Sequence, residues 1–104
     1  MKPVRFHPEA ESEMVDAAAW YEAQQRGLGK RLIASVEDTV NRIRLNPELY
    51  QVIDEDVRRS LTATFPFGVL FRIRPEAIEI VAVMHLRREP GYWAGRRPRP
   101  EPVK

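Results

Sequence analysis

The chain has 104 residues, 43% hydrophobic and 31% charged, with a formal net charge of +2; this is the balance of one globular domain with a single modest core. It has no cysteine, which excludes disulfides and thiolate metal sites. No apolar run reaches membrane-spanning length, and Met1-Lys-Pro-Val-Arg-Phe6 lacks the apolar stretch of a secretory leader, so the expectation is a cytoplasmic protein with no membrane partner.

Pro3 to His7 reads as a short strand, with Val4 and Phe6 on one side and Arg5 on the other. Pro8 opens a helix, because proline's missing N–H costs nothing at the first helical position. Glu9 and Glu11 complement the positive end of its dipole. Ala10, Met14, Ala17, Ala18 and Tyr21 recur at the spacing of one apolar helix face. That pattern stops at Arg26-Gly-Leu-Gly29, where either glycine suits a left-handed cap. A second helix is predicted from about Gly29 to Arg44 or Leu45, carrying Leu32, Ile33, Val36, Val40 and Ile43 inward. Asn46-Pro47 ends it, since proline moves the preceding residue out of the α region. The short glycine link makes the pair an αα-hairpin.

After an acidic turn at Asp54-Glu-Asp56, Val57 to Leu61 reads as a strand. Two stronger β runs follow, 67–74 and 77–85, joined at Pro75-Glu76. Phe67, Val69, Phe71 and Ile73 share one face; Gly68, Leu70, Arg72 and Arg74 share the other. By the same alternation Ile78, Ile80, Ala82 and Met84 oppose Glu79, Val81, Val83 and His85. The predicted order is β-α-α-β-β-β, an α+β domain with a helical hairpin on one face of a small, mainly antiparallel sheet. The other face is expected to be smaller, partly wet and basic. Residues 1–95 form the domain, and 96–104, spaced with proline and arginine, are expected to be a disordered tail.

Charge is polarised along the chain. Five acids stand against three bases in residues 1–26, and six bases against two acids in 85–104. The segment His85-Leu-Arg-Arg-Glu-Pro-Gly-Tyr-Trp93 gathers an imidazole, cations and two rings, which are the groups that meet or act on a polyanion.

The ordered series Phe6-His-Pro-Glu-Ala10 with Glu13, Ala19-Trp-Tyr-Glu22, Leu28-Gly29, Asn46-Pro47, Arg59, Phe65-Pro-Phe67, Val69-Leu-Phe-Arg72, Ala82-Val-Met-His85, Arg88, Pro90, Tyr92 and Trp93 resembles the RelE/ParE superfamily of type II toxins, in the branch often labelled plasmid stabilisation proteins. The resemblance spans roughly residues 4–93. It implies a growth-arresting toxin, neutralised by an antitoxin encoded beside it whose C-terminal segment wraps the toxin in a hetero-oligomer. RelE-like relatives cleave mRNA in the ribosomal A site, whereas ParE-like ones poison DNA gyrase and lack the nuclease residues. The nuclease pattern wants two bases spaced two apart on the second strand, an arginine on the third, and an arginine and a tyrosine near the C-terminus. Here Arg58 covers one position, Ser60 occupies its partner, and the third-strand arginine falls near Gly68. The incomplete set favours the gyrase branch. The alternatives are a metal-independent, ribosome-dependent mRNA endonuclease or a degenerate member without toxicity.

If the chain is a nuclease, His85 and Tyr92 are the candidates for proton transfer, with Arg58, Arg87 and Arg88 stabilising phosphorane charge. Strand alternation sends His85 to the open side; the plainer role is a local hydrogen bond where its strand ends. Arg59, Arg72, Arg87, Arg88, Tyr92 and Trp93 are the candidates to contact a target, cations interleaved with rings. Trp93 is also expected to fold back over a sheet edge. Trp20, off the apolar stripe, and Arg87 with Arg88 are the candidates to contact the antitoxin. Two distant histidines suggest no metal site, and no cofactor is implied.

Overall fold

His7 and Pro8 set where the first helix begins. In the computed structural model, which describes residues 1–96, the His7 ring accepts a hydrogen bond from the Glu9 N–H at 3.1 Å, and Pro8 occupies the first turn. The helix, α1, runs Pro8–Gln24. It turns back through Gly27, at φ +89°, into α2, Leu28–Leu45. No side chain of the turn caps α2. Glu22 on α1 does so instead, its carboxylate accepting the N–H groups of Gly27 at 3.0 Å and Gly29 at 3.0 Å. The hairpin closes tightest at Gly29, where a Cβ would stand 2.6 Å from the Ala18 carbonyl oxygen; only glycine admits that approach.

The chain then makes one 3₁₀ turn, Pro47–Leu49. A five-stranded sheet is built from β1 (Val4–Phe6), β2 (Val52–Asp54), β3 (Val57–Leu61), β4 (Phe67–Ile73) and β5 (Ile78–His85). Its order is β1-β5-β4-β3-β2; β1 lies parallel to β5 and every other pair is antiparallel. The order of elements follows the sequence expectation with one addition, β2, which pairs with β3 across Glu55 at φ +48°. Beneath the helices, Leu32, Val36 and Ile43 meet Val69, Phe71, Ile78 and Ile80, all essentially inaccessible. Each such side chain contributes about 1.5–3 kcal/mol of burial.

Alternation along β4 is as expected, but β5 departs from it. Leu70 pairs with Ala82 and Phe71 with Ile80, so Val81 is an extra residue. This bulge re-phases the strand. Val83 joins Ile80 in the cluster under the helices, while Val81, Ala82 and Met84 join Val57 and Leu70 on the opposite side.

That opposite side is not the open basic face anticipated. The segment after β5, residues 86–96, crosses it as a strap of short turns, with Gly91 at φ +83°. Trp93, 4% exposed, plugs the second cluster, and Tyr92 packs beside it. Of the tail expected at 96–104, only its first residue is described. Arg96 is bound to α1 and β5, and the rest of that segment, 97–104, lies outside the described residues.

Candidate functional site

Glu13 is the main carboxylate that fastens the strap. Glu13 sits at the edge of the core-facing side of α1, half-buried, and reaches the stretch of β5 that β1 leaves uncovered. Its Oε1 accepts the Val83 N–H at 3.0 Å and one Arg96 amino group at 2.9 Å; Oε2 accepts the other Arg96 amino group at 3.0 Å and Arg88 at 3.3 Å. Arg96 also donates to the Val81 carbonyl at 3.0 Å and pairs through Nε with Glu9 at 3.2 Å. The Glu13 and Arg96 side chains are only 13% and 10% exposed. Burial works against the Arg96 charge, but the Glu13 carboxylate and Glu9 more than offset it, and the guanidinium is held above its ordinary pKa. A two-pronged arginine–carboxylate pair is the strongest form of this contact.

Tyr92 lies inside the same cluster. The Arg88 guanidinium sits 3.7 Å above its ring and that of Arg96 at 5.1 Å, a pair of cation–π contacts. Its hydroxyl is buried near Glu13, yet it makes no hydrogen bond of acceptable geometry among the described residues. Burial, reinforced by the Glu13 charge, pushes the phenol well above the usual tyrosine range, with Arg88 and Arg96 pulling weakly the other way.

The other sequence candidates are scattered. His85 has moved to the helix side through the bulge, contrary to the alternation reading. It stands edge-on to Phe67, ring centroids 5.1 Å apart, and its Nδ1 accepts the Arg87 N–H at 3.1 Å. The local hydrogen bond anticipated as its plainer role is therefore present. Arg58 also lies on the helix side, opposite Phe71, and donates to the Glu48 and Tyr50 carbonyls at 3.1 and 2.8 Å. Along β4, His85 pairs with Phe67 and Arg58 with Phe71, a separation of about 13 Å. The five candidate nuclease residues do not converge.

Among the candidates for target contact, Arg72 and Trp93 are inaccessible. Arg72, 5% exposed, pairs with Asp56 at 3.1 Å and Glu79 at 3.4 Å; the turn before β3 and the facing position on β5 supply the acids that let it be buried. Arg59 and Arg87 remain available, with no carboxylate partner among the described residues. The Arg59 stem lies over Gly68, where a Cβ would come within 3.1 Å of it, and Leu86 flanks the same spot. Leu61 and Leu86, 52% and 42% exposed, make this uncovered corner both apolar and cationic. Trp20, as expected off the stripe, is 60% exposed and stands against Tyr21 at 5.0 Å. Glu13 is the residue that sequence reasoning missed as a centre. Its one signal is an acid placed beside an apolar helix face, at a position that first-turn dipole arguments do not explain.

The family described as ParE toxin of type II toxin-antitoxin system, parDE, matches residues 4–90. Among solved structures, a chain of the chromosomal ParDE TA system from P. aeruginosa aligns with a TM-score of 0.66 at 15% identity, covering 84% of this chain and 98% of that one. At that identity the likeness is one of fold. A search of curated proteins gave no match.

Proposed function

The chain belongs to the ParE toxin family of type II toxin–antitoxin systems, and from that premise we propose that it acts by docking on DNA gyrase rather than by cutting RNA. The dispersal of the nuclease set carries this reading. Arg58 fastens the 3₁₀ segment, Arg88 is taken up by Glu13 with the Tyr92 ring packed beneath it, and His85 lies about 13 Å along the sheet from Arg58. General acid–base catalysis needs its groups within hydrogen-bond reach of one substrate, and an interaction toxin does not. The purified protein is expected to inhibit gyrase supercoiling and to trap cleaved DNA, while primer extension after induction shows unchanged mRNA ends. Codon-positioned mRNA cuts that disappear in His85→Ala would refute it in favour of the endonuclease reading.

A cognate antitoxin is the second partner. The uncovered corner at Arg59, Leu61 and Leu86, with Arg87 next along the chain and Trp20 exposed on α1, suits an amphipathic segment with acids at its rim. Arg87→Glu is expected to weaken antitoxin binding about tenfold, mainly by slowing association. An unchanged affinity would remove Arg87 from the interface.

A further inference from the structure

A second concave surface lies at the far end of the sheet. A cleft of about 470 Å³ opens between the end of α2, the 3₁₀ turn and the first residues of the chain. Its floor is Ile73 and Ile78, and Leu45 and Leu49 stand as walls, 65% and 79% exposed. Two cations reach its rim. The Lys2 ammonium donates to the Arg74 carbonyl at 2.6 Å, which uses one of its three N–H bonds. Arg44 donates through Nε to the Lys2 carbonyl at 3.2 Å, so the guanidinium is held in place while its two amino groups have no partner among the described residues. Glu48 lines the same cleft but pairs with neither cation.

We infer that this cleft binds a protein segment that carries a carboxylate next to aliphatic side chains. The argument is one of complementarity. The immobilised Arg44 fork matches a carboxylate, with Lys2 adding a second charge. The leucine and isoleucine surfaces match aliphatic side chains. Among the described residues no aromatic side chain lines the cleft, so there it lacks the stacking platform on which single-stranded nucleic acid is gripped. The walls stand too far into solvent to enclose a small molecule, and an occupant must bring its own second wall, as a peptide main chain does. Arg87 follows His85, which pairs with Phe67 about 20 Å along β4 from Ile73, and the Arg59 stem lies over Gly68 on the face turned away from the helices, so a segment seated here leaves both untouched. The inference is independent of the gyrase reading.

The test is an amide NMR titration of the full chain with acetyl-Leu-Glu-Leu-Leu-amide and with its glutamine counterpart. Shifts are expected at Lys2, at residues 44–49, at Ile73 and at Ile78, with a dissociation constant on the order of 1 mM. The glutamine peptide should bind about tenfold more weakly, and Arg44→Gln should lower affinity by a similar factor. Leu49→Asp alters a fully projecting side chain, leaves the fold intact by its amide spectrum, and should abolish binding. Absence of shifts at about 10 mM peptide overturns the inference. So do equal affinities for the two peptides, shifts confined to the His85 end, or displacement of the peptide by a single-stranded oligonucleotide.

Discussion

Glu13→Ala should release the strap. The substitution removes the acceptor of both Arg96 amino groups, of Arg88 and of the Val83 N–H. An exposed ion pair is worth about 0.2–1 kcal/mol, whereas stripping one member from a buried pair costs about 3–5 kcal/mol. With side chains 13% and 10% exposed, the Glu13–Arg96 pair falls near the buried limit. The Val83 amide also loses its partner, at about 1–3 kcal/mol before water reaches it. Glu9 still holds Arg96 at 3.2 Å, so the expected total is about 3–4 kcal/mol, or roughly 15 °C in Tm. Urea unfolding of Glu13→Ala, Arg96→Ala and the double variant should give a coupling of about 2 kcal/mol. In a Trp20→Phe background Trp93 is the only indole, and its emission should shift to the red when Glu13 is lost. A coupling below about 0.5 kcal/mol, with unchanged Trp93 emission, would refute the clamp.

Three further outcomes are expected. Gly29→Ala should cost about 1–3 kcal/mol, because its methyl meets the Ala18 carbonyl at 2.6 Å; Gly27→Ala, in open space at φ +89°, should cost about 1–2 kcal/mol through backbone strain alone, and thermal melts can rank the two. The Gly27 and Gly29 N–H groups hold the Glu22 carboxyl below its ordinary 4.5. Its contribution to stability is therefore full above about pH 4.5 and is lost as pH falls through the lower folded value. Comparing acid unfolding of the parent and Glu22→Gln isolates it, and a parallel pH dependence would count against the cap. For Tyr92 the sign is reversed, since the folded phenol ionises later than the unfolded one. Stability should decline as pH rises above about 10, and Tyr92→Phe should remove the late phase of an ultraviolet tyrosinate titration. Because the Tyr92 hydroxyl has no hydrogen-bond partner among the described residues, that variant should change neutral-pH stability by less than about 1 kcal/mol.

Most of the framework was legible because apolar spacing reports burial directly. Leu32, Val36, Val40 and Ile43 mark α2, Phe67 to Ile73 fix the phase of β4, and Pro8 and Asn46-Pro47 mark helix limits. The bulge was not legible. From Ile80 to Met84 both faces of β5 are apolar, so a one-residue change of phase leaves the hydrophobic pattern intact, and no glycine or proline marks it. The expectation for His85 inherited that error. Strand β2 has only three residues and turns through Glu55, a non-glycine with positive φ. The clamp escaped for another reason, namely that Glu13 and Arg96 are 83 residues apart. As sequence they are a helix acid and a tail base, and a strap that closes one face reads as a cationic end left free.

Arg88 has a consequence for any partner that seeks it. Its guanidinium is already engaged, by Glu13 on one side and the Tyr92 ring on the other, so an incoming acid exchanges one carboxylate for another instead of neutralising an idle charge. Such a swap is close to neutral in energy. A ligand that wins Arg88 must draw its advantage from greasy contact nearby or from several negative charges acting together, and isolated acidic residues will pass the site by.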